Sequence, residues 1–115
     1  MKINDNDKIH AAEVQMEGAK DVTRKILIGP DDESNGIIMR QFKISPGGNT
    51  PRHHHNYEHV IKVESNRGIL VDAEGNEHEL KKGQSAFIKP NELHQFKNPF
   101  GEDFEFLCII PNIKA

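Results

Sequence analysis

The run IIMRQFKISPGGNTPRHHHNYEHVIKV, residues 37–63, carries the reading of the fold. Its first part, Ile37 to Ile44, is β-branched and alternating, with Ile38, Arg40, Phe42 and Ile44 on one face and Ile37, Met39, Gln41 and Lys43 on the other. That period predicts a strand. Ser45-Pro46-Gly47-Gly48 is a strong breaker and is expected to end it. At the far end His59, Ile61 and Val63 share one face, with Val60, Lys62 and Glu64 opposite, so an imidazole stands in line with interior aliphatic residues. Between the two strands His53 and His55 project to one side of an extended chain and His54 to the other.

Outward from this run the pattern repeats. Val22 to Ile28 alternates basic and apolar residues and stops at Gly29-Pro30, and Asp31 to Gly36 is a polar connection. After Ser65-Asn66-Arg67-Gly68 come Ile69 to Val71, a hairpin turn at Ala73 to Asn76, and Glu77 to Leu80. Ser85 to Ile88, a turn at Pro90-Asn91, and an apolar strand Phe104 to Ile110 complete the chain. Turn signals at roughly 8 to 12 residues predict an all-β sandwich or barrel. Only Ala11 to Lys20 carries helix-favouring residues, with poor capping signals. We therefore expect one all-β domain over 22–111, preceded by an N-terminal segment, 1–21.

The chain has 115 residues, enough for one domain and too short for two. A hydrophobic fraction of 35% and a mean hydropathy of −0.70 make a lean core. A lean core in a short chain is often completed by a second subunit, so a homodimer is expected, with the N-terminal segment reaching across and the apolar residues of Val22 to Ile28 covered. A net charge of −3 lacks the basic footprint of nucleic-acid binders. No apolar run approaches a membrane span, and Met1 to Lys8 is too polar for a signal peptide. A single cysteine, Cys108, fits a reducing cytoplasm.

Seven histidines are the anomaly, five of them at 53, 54, 55, 59 and 94. His53, His55 and His59 share an inward parity within seven residues. Buried neutral imidazoles need a partner at both nitrogens, and a shared cation supplies one per ring. The bland alternative is a solvent-exposed histidine loop.

These residues resemble the cupins. Gly47, five residues, His53-x-His55, three residues, His59 and later Gly68 are similar to the first cupin motif, and Gly83, Pro90, His94 and Asn98 to the second. The resemblance covers Val22 to Pro111. It implies a jelly-roll, or double-stranded β-helix, barrel, with His94 brought across to the first-motif ligands. Two departures stand out: His59 replaces the usual glutamate, and Gly68 closes the motif two residues late. The first resembles a four-histidine subgroup that holds manganese, iron or another divalent transition ion. Nickel, copper and zinc also suit imidazole. Four neutral ligands leave the full dipositive charge on the ion, and a six-coordinate ion keeps two open positions where tetrahedral zinc keeps none.

Around that site the resemblance implies a pocket of Arg40, Phe96, Phe106, Cys108 and Ile110, against a competing role as ordinary core, the stronger expectation for Phe106 and Ile110. Arg40 either orients a substrate carboxylate or pairs with an acid at the rim. Cys108 reads as a small buried residue rather than a nucleophile. Tyr57 and Glu58 either cover the entrance or face water. The first functional expectation is a metal-dependent dioxygenase or oxidase acting on a small organic molecule. A Lewis-acid isomerase, lyase or cyclase, and a non-catalytic metal- or ligand-binding protein, are the alternatives.

Overall fold

Alternating burial runs the length of the strands. In β9 (Phe104–Pro111) Phe104, Phe106, Cys108 and Ile110 are buried and the residues between them are partly exposed. In β4 (His59–Ser65) His59, Ile61 and Val63 point inward while Val60 and Lys62 face out, the parity read from the sequence. The computed structural model describes residues 1–112.

Among these residues the remaining strands are β1 (Ala12–Glu13), β2 (Lys20–Ile28), β3 (Ile37–Asn49), β5 (Arg67–Val71), β6 (Glu77–Lys81), β7 (Ser85–Ile88) and β8 (Gln95–Lys97). They pair in the order β6-β5-β8-β3-β9-β4-β7, with β2 on β3 and β1 on β2. Every pairing is antiparallel. The result is an all-β jelly-roll barrel whose interior holds Val22, Ile44, Ile61, Val63, Ile88 and the ring cluster Phe96, Phe104 and Phe106.

The expected break at Ser45 to Gly48 is instead a corner within one continuous strand. β3 pairs with β9 as far as Ile44 opposite Phe104, then with β8 at Asn49 opposite Lys97. Gly47 takes φ +84°, available to glycine without strain. The backbone groups released by the bend find Asn98: the Gly47 N–H donates to the Asn98 carbonyl at 2.7 Å, and the Asn98 N–H to the Gly48 carbonyl at 3.0 Å. The buried Asn98 amide clamps the same corner, donating to the Ile44 carbonyl at 2.8 Å and the Glu102 carbonyl at 2.7 Å.

Gly68 has a different reason. A Cβ there would lie 2.0 Å from the Phe104 ring, so β5 approaches the core only because position 68 lacks a side chain.

The helix-favouring stretch Ala11 to Lys20 forms no helix; Ala12 and Glu13 add to the edge of β2. With no caps to satisfy a helix end, pairing with an open strand edge wins. The N-terminal segment lies along its own barrel. Asn4 Nδ2 donates to the Leu27 carbonyl at 2.9 Å and Asn49 Nδ2 to the Gly18 carbonyl at 2.8 Å. Val22 and Leu27 are buried within the chain, so of the strand thought to need covering Ile26 is the large residue left out, 47% exposed. No helix among the described residues is long and apolar enough to cross a membrane.

Candidate functional site

Two chain segments meet at one mouth of the barrel. His53 and His94 form an isolated antiparallel bridge, each backbone N–H donating to the other's carbonyl, at 3.1 and 3.0 Å. The segment from β3 to β4 continues extended, so His53 and His55 turn inward, half-buried, while His54 is exposed. Asn91 anchors it by donating its N–H to the His55 carbonyl at 2.5 Å. His59 opens β4 opposite Ile88 and is 4% exposed, whereas its neighbour Glu58 faces solvent.

Together these elements gather four imidazoles. Ring centroids are 4.4 Å apart for His53–His55, 5.0 Å for His53–His94, 5.1 Å for His55–His59, 5.2 Å for His59–His94 and 6.1 Å for His55–His94. With a metal–nitrogen bond of about 2.1 Å a ring centroid lies about 3.2 Å from the ion, so two rings on one ion stand roughly 4.5 Å apart at a right angle and about 6.4 Å when opposite. The observed spacings fall in or close to that range. The donor nitrogens do not yet converge: among the described residues no group of three or more His, Cys, Asp or Glu side chains is closed tightly enough to hold an ion. Closing a cage calls for turning rings about their side-chain torsions.

The protonation state of the rings suits a cation. Burial, reinforced by the neighbouring imidazoles and Arg40, lowers the pKa of His59 to about 3 and of His53 to about 4. Burial likewise lowers His55 and His94. All four rings are thus neutral donors at neutral pH. The His94 Nδ1–H donates to the Glu92 carbonyl at 2.8 Å, which fixes the tautomer and leaves the Nε2 lone pair free, as an outer partner does for a ligating histidine. His59 Nδ1 is buried without a hydrogen-bond partner among the described residues. An orphaned ring nitrogen among neutral imidazoles fits a divalent metal ion.

The rings line one side of a cavity of about 200 Å³. Arg40, Phe96, Phe106 and Cys108 line it, and Tyr57 stacks on His55 with centroids 5.0 Å apart. Ile110 does not: it pairs with Ile38 beyond Cys108 along β9 and is packed into the core. Arg40 makes no ion pair with an acid among the described residues. Its Nη2 donates to Cys108 Sγ at 2.9 Å, and its guanidinium stands 5.0 Å from the Phe42 ring centroid. Cys108 itself is held above its usual pKa by burial, so it is a thiol and no nucleophile.

Sequence reasoning missed Arg24, Thr50, Val14 and Met16, which also line the cavity. Arg24 carried a signal: it shares parity with Val22 and Ile26, a charge on an apolar face like Arg40. Thr50 Oγ1 accepts from the Phe96 N–H at 2.8 Å and ties the end of β3 to β8. Val14 and Met16 come from the segment folded along β2, which no local pattern announces.

A family model described as a cupin domain matches residues 40–110. The polyketide cyclase RemF from Streptomyces resistomycificus superposes with a TM-score of 0.93 at 33% identity, over 97% of this chain and 80% of that one. A predicted oxalate decarboxylase from Thermotoga maritima gives 0.84 at 22% identity, over 96% and 98%. KdgF from a Halomonas species gives 0.77 at 16% identity, over 93% and 91%; these last two speak for the fold. No curated protein matches the sequence closely enough to be counted a relative.

Proposed function

This chain belongs to the cupin domain family, and from that premise we propose that it is an enzyme acting on a small carbonyl compound, with His53, His55, His59 and His94 holding one divalent transition-metal ion. The observation that carries the reading is the buried, partnerless Nδ1 of His59 among neutral imidazoles. A divalent ion bound there supplies Lewis acidity toward a carbonyl oxygen. Phe42, Phe96 and Phe106 stack at 5.4 and 4.4 Å and offer apolar faces to a flat substrate. Val14 and Met16, from the N-terminal segment, add further apolar lining. With no carboxylate among the described residues lining the cavity, proton traffic falls to Tyr57 beside His55 and to any imidazole left off the ion.

The likeness to a polyketide cyclase at 33% identity favours carbonyl activation without an oxidant. Manganese or iron with two open positions would instead serve a dioxygenase or oxidase. The test is metal analysis of the protein as isolated, then turnover of enolic and phenolic compounds with and without oxygen. We expect about one equivalent of a transition metal per chain, turnover that persists anaerobically, and loss of turnover on chelation. Strict oxygen dependence would transfer the assignment to the oxidase reading. Failure to bind any divalent transition ion would overturn both.

A further inference from the structure

Two guanidinium groups share the cavity with the imidazoles, and nothing among the described residues neutralises them. Arg24 on β2 lies opposite Phe42, and Arg40 on β3 opposite Ile26, so the two are diagonal neighbours on the same inward face. No aspartate or glutamate lines the cavity, and neither arginine makes an ion pair among the described residues. Their mutual repulsion is felt at Arg24, whose pKa falls through burial and the Arg40 charge. Arg40 is held in place by groups that carry no charge, the Cys108 thiol and the Phe42 ring, and its Nε–H is buried without an acceptor. A thiol satisfies one N–H and leaves the cation intact. Uncompensated like charges in a half-buried wall are costly unless a ligand brings the anion.

Resting on the enzyme reading above and deepening it, we infer that Arg40 and Arg24 form a carboxylate-binding wall, so that the substrate is a small planar keto acid. Its carboxylate lies on the guanidinium forks, its carbonyl faces the imidazoles, and its flat body lies against Phe42 and Phe106. The fork geometry of arginine matches a planar carboxylate. A cavity of about 200 Å³ limits the ligand to fewer atoms than a drug-sized molecule.

The test compares acetoacetate with its uncharged methyl ester by titration calorimetry, on protein as isolated and on protein stripped by a chelator. We expect acetoacetate to bind at least about tenfold more tightly than the ester in both preparations. Arg24→Gln and Arg40→Gln should each erode that preference and the double variant abolish it, with melting temperature as the folding check. Arg24→Lys and Arg40→Lys guard against variants that fail to fold. Each keeps the charge but loses the fork, so it should retain more of the preference than the corresponding glutamine variant does. Equal affinity for the two probes, no binding of acetoacetate, or a preference that survives in the folded double variant overturns the inference. A preference that vanishes on stripping and ignores the arginines would place the anion on the metal, leaving the metal reading intact and this one refuted. An arginine-dependent preference in a protein that binds no metal would do the reverse.

Discussion

His59 carries a neutral ring where an unfolded chain would carry a titrating one. Its pKa falls from an ordinary value near 6.5 to about 3 on folding, chiefly through burial. In the window between those values the unfolded state binds more protons than the native state, so stability is fully present above pH 6.5 and is lost as pH falls toward 3. His53, lowered to about 4, adds the same slope over a narrower window. For metal-free protein we expect unfolding free energies from urea titrations that are flat from pH 8 to 7 and decline steeply below 6, by a few kcal/mol in all. His59→Asn, which cannot be protonated, should flatten much of that decline. Gly68 makes a second residue-scale case, because an added methyl meets the Phe104 ring at 2.0 Å. Gly68→Ala should cost about 2 kcal/mol or more in urea denaturation.

At the scale of elements, the alternation in β4 and β9 was readable because one face of each meets the core along its whole length. The choice of His59 over Glu58 as the inward residue follows from the same parity. β8 is only three residues long and owes its conformation to β3 and β5 on either side, which local sequence does not record. The corner in β3 was misread as an end for a related reason. Pro46 and Gly47 do bend the chain, yet the groups they release are taken up by Asn98, about fifty residues on. Asn98→Ala would strand buried carbonyls at this corner and is expected to lower stability by about 2–3 kcal/mol, measurable as a shift in urea midpoint at unchanged slope. In the site, Arg24 and Arg40 escaped pairing by inspection because β2 and β3 meet only through the register of their hydrogen bonds.

For the molecule as a whole, a second surface besides the strand Val22 to Ile28, whose Ile26 is exposed, offers itself to a partner. Register places Met39, Ile109, Val60 and Phe87 in one row across β3, β9, β4 and β7, with Val60 46% and Phe87 54% exposed. A row of this kind is self-complementary about a two-fold axis, the commonest symmetry of small assemblies. We expect sedimentation at micromolar concentration to give a dimer, and Val60→Glu with Phe87→Glu to give a folded monomer. A monomeric wild type would refute the expectation.

Three of the residues that line the cavity, Val14, Met16 and Arg24, lie before the residues that match the cupin domain. The imidazoles and most of the barrel therefore belong to one part of the chain, and three of the residues that line the cavity belong to another. Substitutions before residue 40 can retune which molecules enter while the imidazole cluster stays untouched. Two proteins with the same histidines could thus diverge in diet through their leading segments, and a survey of the barrel motifs would never register the change.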